Sequence, residues 1–181
     1  MLKWLIRKRL AAFERNFQYD MSYARDVLDA DTRAFLTFAK VMGMSQYRRG
    51  VARDPYHAAK LIGVLSEDCG PCTQLIVTMG LREGVAPATI AAVLGNDEQA
   101  MTDEVKLAVS FARASLAHDP EADTYREQVV ARWGARGLVS LAFALVSARI
   151  FPTLKYALGH GKTCQRVVVD GKPVAVHRAA A

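Results

Sequence analysis

Cysteine is scarce in this chain: Cys69, Cys72 and Cys164 are the only three in 181 residues. That is too few for a small secreted fold built on disulfides. The N-terminus shows no apolar h-region followed by a small-residue cleavage site. A reducing cytoplasm is therefore the expected setting. The longest apolar run, Gly137 to Ala148, is interrupted by Arg149. It is too short to span a bilayer, so no stable membrane insertion is expected. The formal charge of +6 is moderate, and no run alternates aromatic with basic residues. Nucleic acid is accordingly not an expected partner. Internal repeats, linkers and low-complexity blocks are missing too. What remains is one domain, residues 1–181, with half its residues hydrophobic and enough length for a full core.

The apolar spacing and its punctuation predict an all-α bundle of about eight helices. Leu2 to Phe17 reads as a basic amphipathic helix, with Trp4, Leu5, Leu10, Phe13 and Phe17 on one apolar side. Residues 1–45 form an N-terminal helical extension. Within it Asp31 or Thr32 opens a helix that Gly43 ends. Asp54-Pro55 is a cap followed by a first-turn proline, and the helix it opens stops near Glu67. A second helix runs from about Gly70 to Glu83, with Gly84 after it. Pro87 to Leu94, ended by Gly95, and Thr102 to Leu116, closed by His118 and Pro120, complete the middle of the chain. Asp123 to Trp133 precedes a break at Gly134 to Gly137. Leu138 to Leu158, the most hydrophobic stretch, carries Pro152 as a kink or break. The tail around Asp170-Gly171 has the signature of a short hairpin.

Cys69-Gly70-Pro71-Cys72 sits at a helix entrance. Two sulfurs three residues apart can form one disulfide or bind one metal ion. The unpaired N–H groups and positive dipole end of the helix favour a thiolate. The flanking Glu67 and Asp68 oppose that, since a carboxylate raises a neighbouring thiol's pKa. A carboxylate can still serve as a base that takes up and returns a proton. The metal alternative would draw on Cys69, Cys72 and His57, with Cys164 or His160 as a fourth ligand. Zinc sites usually pair two short cysteine motifs and only one is present, so redox chemistry leads and neither metal nor cofactor is expected. Two incidental buried thiols are the bland alternative. Tyr47 and Tyr56 are pocket candidates, though aromatics on helices are more often core.

The C-x-x-C at a helix entrance resembles the alkylhydroperoxidase-D-like / carboxymuconolactone decarboxylase family. The likeness covers about Asp54 to Leu116, the core region with the motif. It includes the helix pair around the cysteines and the turn Gly84-Val85-Ala86-Pro87-Ala88-Thr89-Ile90 into the next helix. The peroxidase members carry E-x11-C-x2-C-x3-H. The resemblance implies that Cys72 is the nucleophile and Cys69 the resolving thiol. The outer positions depart from the pattern: His57 stands where the family has glutamate, and Ile76 where it has histidine. Glu67 is the nearest carboxylate able to replace the lost proton relay, and His57 could supply an imidazole. Cys69-Gly70-Pro71-Cys72 is also the thioredoxin tetrapeptide, but the lead-in Ala58 to Leu65 fits a helix rather than the strand that fold needs.

The expected function is a thiol-dependent oxidoreductase reducing hydroperoxides or disulfides. Its site would comprise Cys72, Cys69, Glu67 and His57. It would be reset by a dithiol protein or small thiol, and would assemble as a homo-oligomer, a dimer or a multiple of dimers. The alternative is a non-catalytic interaction or redox-sensing protein that keeps the fold without the full relay.

Overall fold

The computed structural model describes residues 1–162 and 167–176. The protein is all-α with one short C-terminal hairpin. The N-terminal extension holds α1 (Leu2–Phe17), α2 (Ser22–Ala30), α3 (Thr32–Ala39) and α4 (Val41–Gln46). Then come α5 (Arg53–Leu65), α6 (Gly70–Arg82), α7 (Pro87–Gly95), α8 (Asp103–Ala117) and α9 (Ala122–Ala157). The strands β1 (Val167–Val169) and β2 (Lys172–Val174) pair antiparallel, with Val168 opposite Pro173. Asp170 and Gly171 both take positive φ, 48° and 75°, as a tight hairpin turn requires.

Capping residues set several boundaries. Asp31 accepts from Arg33 N at 2.8 Å and opens α3. Thr102 does the same for α8 through Val105 N at 3.4 Å. Other boundaries differ from expectation. Ala52, not Asp54, is the cap of α5, and Asp54 sits in the first turn, where its charge faces the positive dipole end. Asn96, not Gly95, ends α7 in a left-handed conformation with φ 57°. Gly43 lies inside α4 instead of ending a helix. The helix α2 was not expected; its Tyr23, Ala24 and Leu28 are buried. On α9 the chain breaks at Gly134 (φ 68°, ψ 179°) and stays helical through Pro152.

The central helix is α5, with Pro55 to Val64 all buried. It packs on α6, α8 and α9. Contact with α9 is close enough that a Cβ on Gly63 would lie 2.5 Å from the Leu145 carbonyl oxygen. The inward stripe of α9 is Gly137, Ser140, Leu141, Ala144, Leu145 and Ala148, spaced three and four apart. Among the described residues α9 is the one helix long and apolar enough, by length and composition, to cross a membrane. The apolar character thus carries past Arg149, beyond the run read from sequence. About 44% of its most apolar window is buried in the fold, so that stretch also serves as core.

Two apolar clusters result among the described residues. The larger gathers α5, α7, α8 and α9 with β1. The second joins Ile6, Leu10, Tyr19, Tyr23 and Leu28 of the N-terminal extension to Val64, Cys69, Cys72 and Ala148. The extension therefore roofs the cysteine end of the core. Only part of the expected apolar side of α1 takes part: Leu10, Phe13 and Phe17 pack inward, while Trp4 and Leu5 stay more than half exposed.

Candidate active site around Cys69 and Cys72

Cys69 caps α6 in an extended conformation, and Pro71 occupies the first turn. The Cys69 carbonyl oxygen accepts from Thr73 N at 2.9 Å and from Thr73 Oγ1 at 3.0 Å. Gly70 N donates to the Lys162 carbonyl oxygen at 3.3 Å. The preceding Asp68 has φ 45°, which turns the chain sharply out of α5. Its carbonyl oxygen accepts from the Tyr156 hydroxyl at 3.0 Å. Cys69 and Cys72 are joined as a disulfide, with Cα atoms 5.3 Å apart. Both are buried, at 0% and 3% exposure.

Cys72 forms part of the wall of an apolar cavity of about 550 Å³ between the N-terminal extension and the core. Leu10 and Phe13 of α1, Phe35 and Phe38 of α3, and Phe151 of α9 supply much of the lining. Ile76 and Met79 continue the α6 wall beyond Cys72. Cys69 is not part of this wall. The size falls within the roughly 300–1,000 Å³ of pockets that enclose small organic molecules. Tyr47 lines a separate open recess of about 360 Å³, and the Tyr56 hydroxyl donates to the Ser45 carbonyl oxygen at 2.7 Å.

Among the described residues, the side chain hydrogen-bonded to a sulfur is Tyr19, whose hydroxyl lies 3.4 Å from Cys72 Sγ. A disulfide sulfur has no proton, so the hydroxyl is the donor. Lys155, 2% exposed, places Nζ 4.5 Å from the Tyr19 ring centre and 5.4 Å from that of Tyr23. Burial pushes the Tyr19 phenol well above its ordinary range, with Tyr23 adding to the shift. Burial likewise raises Tyr23 to about 12. Burial lowers the Lys155 ammonium against the pull of Asp20.

The other expected site residues, Glu67 and His57, bond to groups other than the sulfurs. Glu67 Oε1 accepts from Arg149 Nε at 2.7 Å, and Oε2 from Thr153 Oγ1 at 2.9 Å. Both oxygens are engaged by α9, and Arg149 offsets the charge that would have opposed a thiolate. His57 is 1% exposed, with Nε2 3.0 Å from Glu83 Oε2. Its Nδ1 lies against Gly80 and has no hydrogen-bond partner among the described residues. Gly80 is two turns along α6 from Cys72, about 12 Å of rise. His57 therefore occupies the far end of the α5–α6 pair from the sulfurs. Burial holds its imidazole below the ordinary value, against the opposing effect of Glu83. Beside it, burial lowers Lys60 to about 8.

The alternative metal set is not assembled. Among the described residues no three His, Cys, Asp or Glu side chains converge on one point. His160 instead bonds Ser22 Oγ at 3.1 Å and Asp26 Oδ2 at 2.7 Å, tying the end of α9 to α2. Cys164 lies outside the described residues.

Tyr19, Tyr23 and Lys155 are the neighbours that sequence reading missed. One signal was available: Lys155 is a cation inside the most apolar stretch, and a buried cation needs partners. Comparison of the chain with family models, curated proteins and solved structures gave no match.

Proposed function

We propose that the protein is a thiol-dependent oxidoreductase in which reduced Cys72 attacks an organic hydroperoxide or a disulfide and Cys69 resolves the product. The observation that carries this reading is the division between the two sulfurs: Cys72 is on the cavity wall and Cys69 is not. A substrate seated in the cavity meets Cys72 first. The apolar lining favours a substrate with an apolar body. The position of Cys69 at the entrance of α6 fits the resolving role implied by the likeness to alkylhydroperoxidase-D-like proteins. Sulfenic acid or mixed disulfide at Cys72 then yields the Cys69–Cys72 disulfide, and a dithiol donor returns both thiols. Leu2, Trp4 and Leu5 on α1, with Val139 and Val146 on α9, are exposed apolar surface for the homo-oligomer in this reading.

The test is turnover of cumene hydroperoxide with a dithiol reductant. Cys72→Ser is expected to abolish turnover, and Cys69→Ser to accumulate sulfenic acid or mixed disulfide at Cys72. Full turnover by Cys72→Ser ends the proposal.

The burial of both sulfurs favours a second reading, a redox-sensing or interaction protein whose disulfide alters the packing of the N-terminal extension. No turnover in the parent chain, together with an oligomeric state that changes on reduction, would select it.

A further inference from the structure

The family pattern places its proton relay at the positions of His57 and Ile76. Here His57 is at the far end of the helix pair and Ile76 is a hydrocarbon on the cavity wall. A thiol peroxidase still needs an acid near the sulfur, because peroxide cleavage releases an alkoxide that is far more basic than a thiolate. The N-terminal extension supplies a hydroxyl at that place. Tyr19 is 4% exposed, lines the cavity, and holds its oxygen 3.4 Å from Cys72 Sγ. Its ring is fixed by edge contacts to Phe13 and Tyr23, with centres 6.3 and 6.5 Å away.

We propose that Tyr19 is the catalytic proton donor for the Cys72 reaction and that Lys155 is its positioning cation. This rests on the oxidoreductase reading above. In the reduced protein the Tyr19 hydroxyl donates to the Cys72 thiolate. The thiolate attacks the terminal oxygen of the hydroperoxide. An S–O bond forms, the O–O bond breaks, and the leaving alkoxide takes the Tyr19 proton to become an alcohol. Cys72 is oxidised to sulfenic acid and the peroxide is reduced. The Tyr19 phenolate, beside the Lys155 ammonium, then takes the proton of the Cys69 thiol. The Cys69 sulfur attacks Cys72, the disulfide forms, and hydroxide leaves to be protonated by solvent.

The surroundings suit this cycle. A phenol held protonated by burial stays available as a donor until a stronger base appears. Lys155 is then the cation that makes a short-lived phenolate tolerable in an apolar site. Among the described residues, the charged and titratable groups around this centre are Tyr23 and Asp20 from the extension, Lys155 and Lys162 from the end of α9 and beyond, and Arg9 of α1 on the same cavity wall. Asp20 is held below the usual carboxylate range. Burial alone would raise it, but bonds from Ser22 and the charges of Lys155 and Lys162 outweigh that.

The experiment is single-turnover oxidation of the reduced full chain by cumene hydroperoxide, with disulfide formation followed across pH. Tyr19→Phe keeps the ring and removes the hydroxyl. It is expected to slow oxidation roughly 10²-fold. It should also move Cys72 alkylation to higher pH, because the thiolate loses its donor. Lys155→Met should slow the reaction and Lys155→Arg should restore part of it, which a purely structural role would not produce. Oxidation of Tyr19→Phe at the parent rate, with Cys72→Ser inactive, overturns the role of Tyr19 alone. Oxidation of Cys72→Ser at the parent rate overturns both the role and the function beneath it. If Tyr19→Phe does not fold, the Lys155 pair decides: parent-like rates in both variants overturn the proposal.

Discussion

Glu67 and Arg149 form an ion pair that pins the end of α5 to α9, Oε1 to Nε at 2.7 Å, with Thr153 on the second oxygen. The pair joins helices far apart in sequence next to the cysteine turn. It ties the turn to α9, and the Glu67 side chain is only 15% exposed. Glu67→Gln is expected to lower stability by about 1 kcal/mol, read from the denaturant midpoint. Cys72-dependent turnover should stay near the parent value. A variant of parent stability that had lost turnover would instead restore Glu67 as the base of the reaction.

Acid should weaken the fold through His57 and Glu83. Burial, working against Glu83, sets the folded pKa of His57 below its ordinary value of about 6.5. The unfolded chain therefore binds this proton first as pH falls. Stability is lost from about pH 6.5 downward, towards the lower folded value. For Glu83, burial works upward, but the bond and charge of His57, with Lys60 and Arg48, hold its carboxyl below the usual range. Its contribution disappears below about pH 4.5, in the same direction. Denaturant midpoints measured from about pH 8 to pH 3 should show both losses. In His57→Gln, which keeps a donor for Glu83 without titrating, the upper loss should vanish.

Gly63 is where α5 and α9 approach most tightly. A Cβ there would lie 2.5 Å from backbone, the Leu145 carbonyl oxygen, which no side-chain rotation relieves. Gly63→Ala gains helix propensity of about 1 kcal/mol. It should nevertheless destabilise the chain by roughly 1–3 kcal/mol, seen in thermal or denaturant unfolding. A stabilised variant would mean that the helices separate readily at this point.

Ile76 shares a cavity wall with Cys72, one turn further along α6. Ile76→His would put an imidazole where the resembled family has one. With Tyr19 already supplying the acid, it is expected to change Cys72 oxidation by cumene hydroperoxide little in the parent chain, and to restore about tenfold or more of the rate lost in Tyr19→Phe. Placing a polar group in an apolar wall should cost roughly 1–3 kcal/mol of stability. No recovery in the Tyr19→Phe background would mean that an acid on this wall does not limit the reaction.

Reducing the chain exposes the asymmetry between the sulfurs directly. Cys72 should be protected from a small alkylating agent by an apolar cavity ligand such as cumyl alcohol, while Cys69 should not. The readout is peptide mass after timed alkylation. Equal protection of the two would place them on one wall.

Much of the helical architecture was legible from local chemistry. Pro87 at the start of α7, Thr102 before Asp103, and Gly84 after α6 are local stop and start signals, and they act wherever the chain goes. Asp170-Gly171 likewise carries its own turn geometry. The helix α2 was missed because its polar Ser22, Arg25, Asp26 and Asp29 mask a stripe of Tyr23, Ala24 and Leu28 that only packing reveals.

The sequence by itself determined that two sulfurs meet at the entrance of a helix, because four consecutive residues, one of them a proline, suffice to build that place. Which groups surround them was decided only in three dimensions. Glu67, two residues from Cys69, is drawn to α9 by Arg149, and His57 is carried along α5 towards Glu83. Tyr19, 53 residues from Cys72, arrives with its hydroxyl at the sulfur. The reason is that α1 to α3 bury their aromatic faces against the end of the core. The direction of that burial, which no local spacing encodes, chooses the partner of the thiol and shapes the cavity beside it.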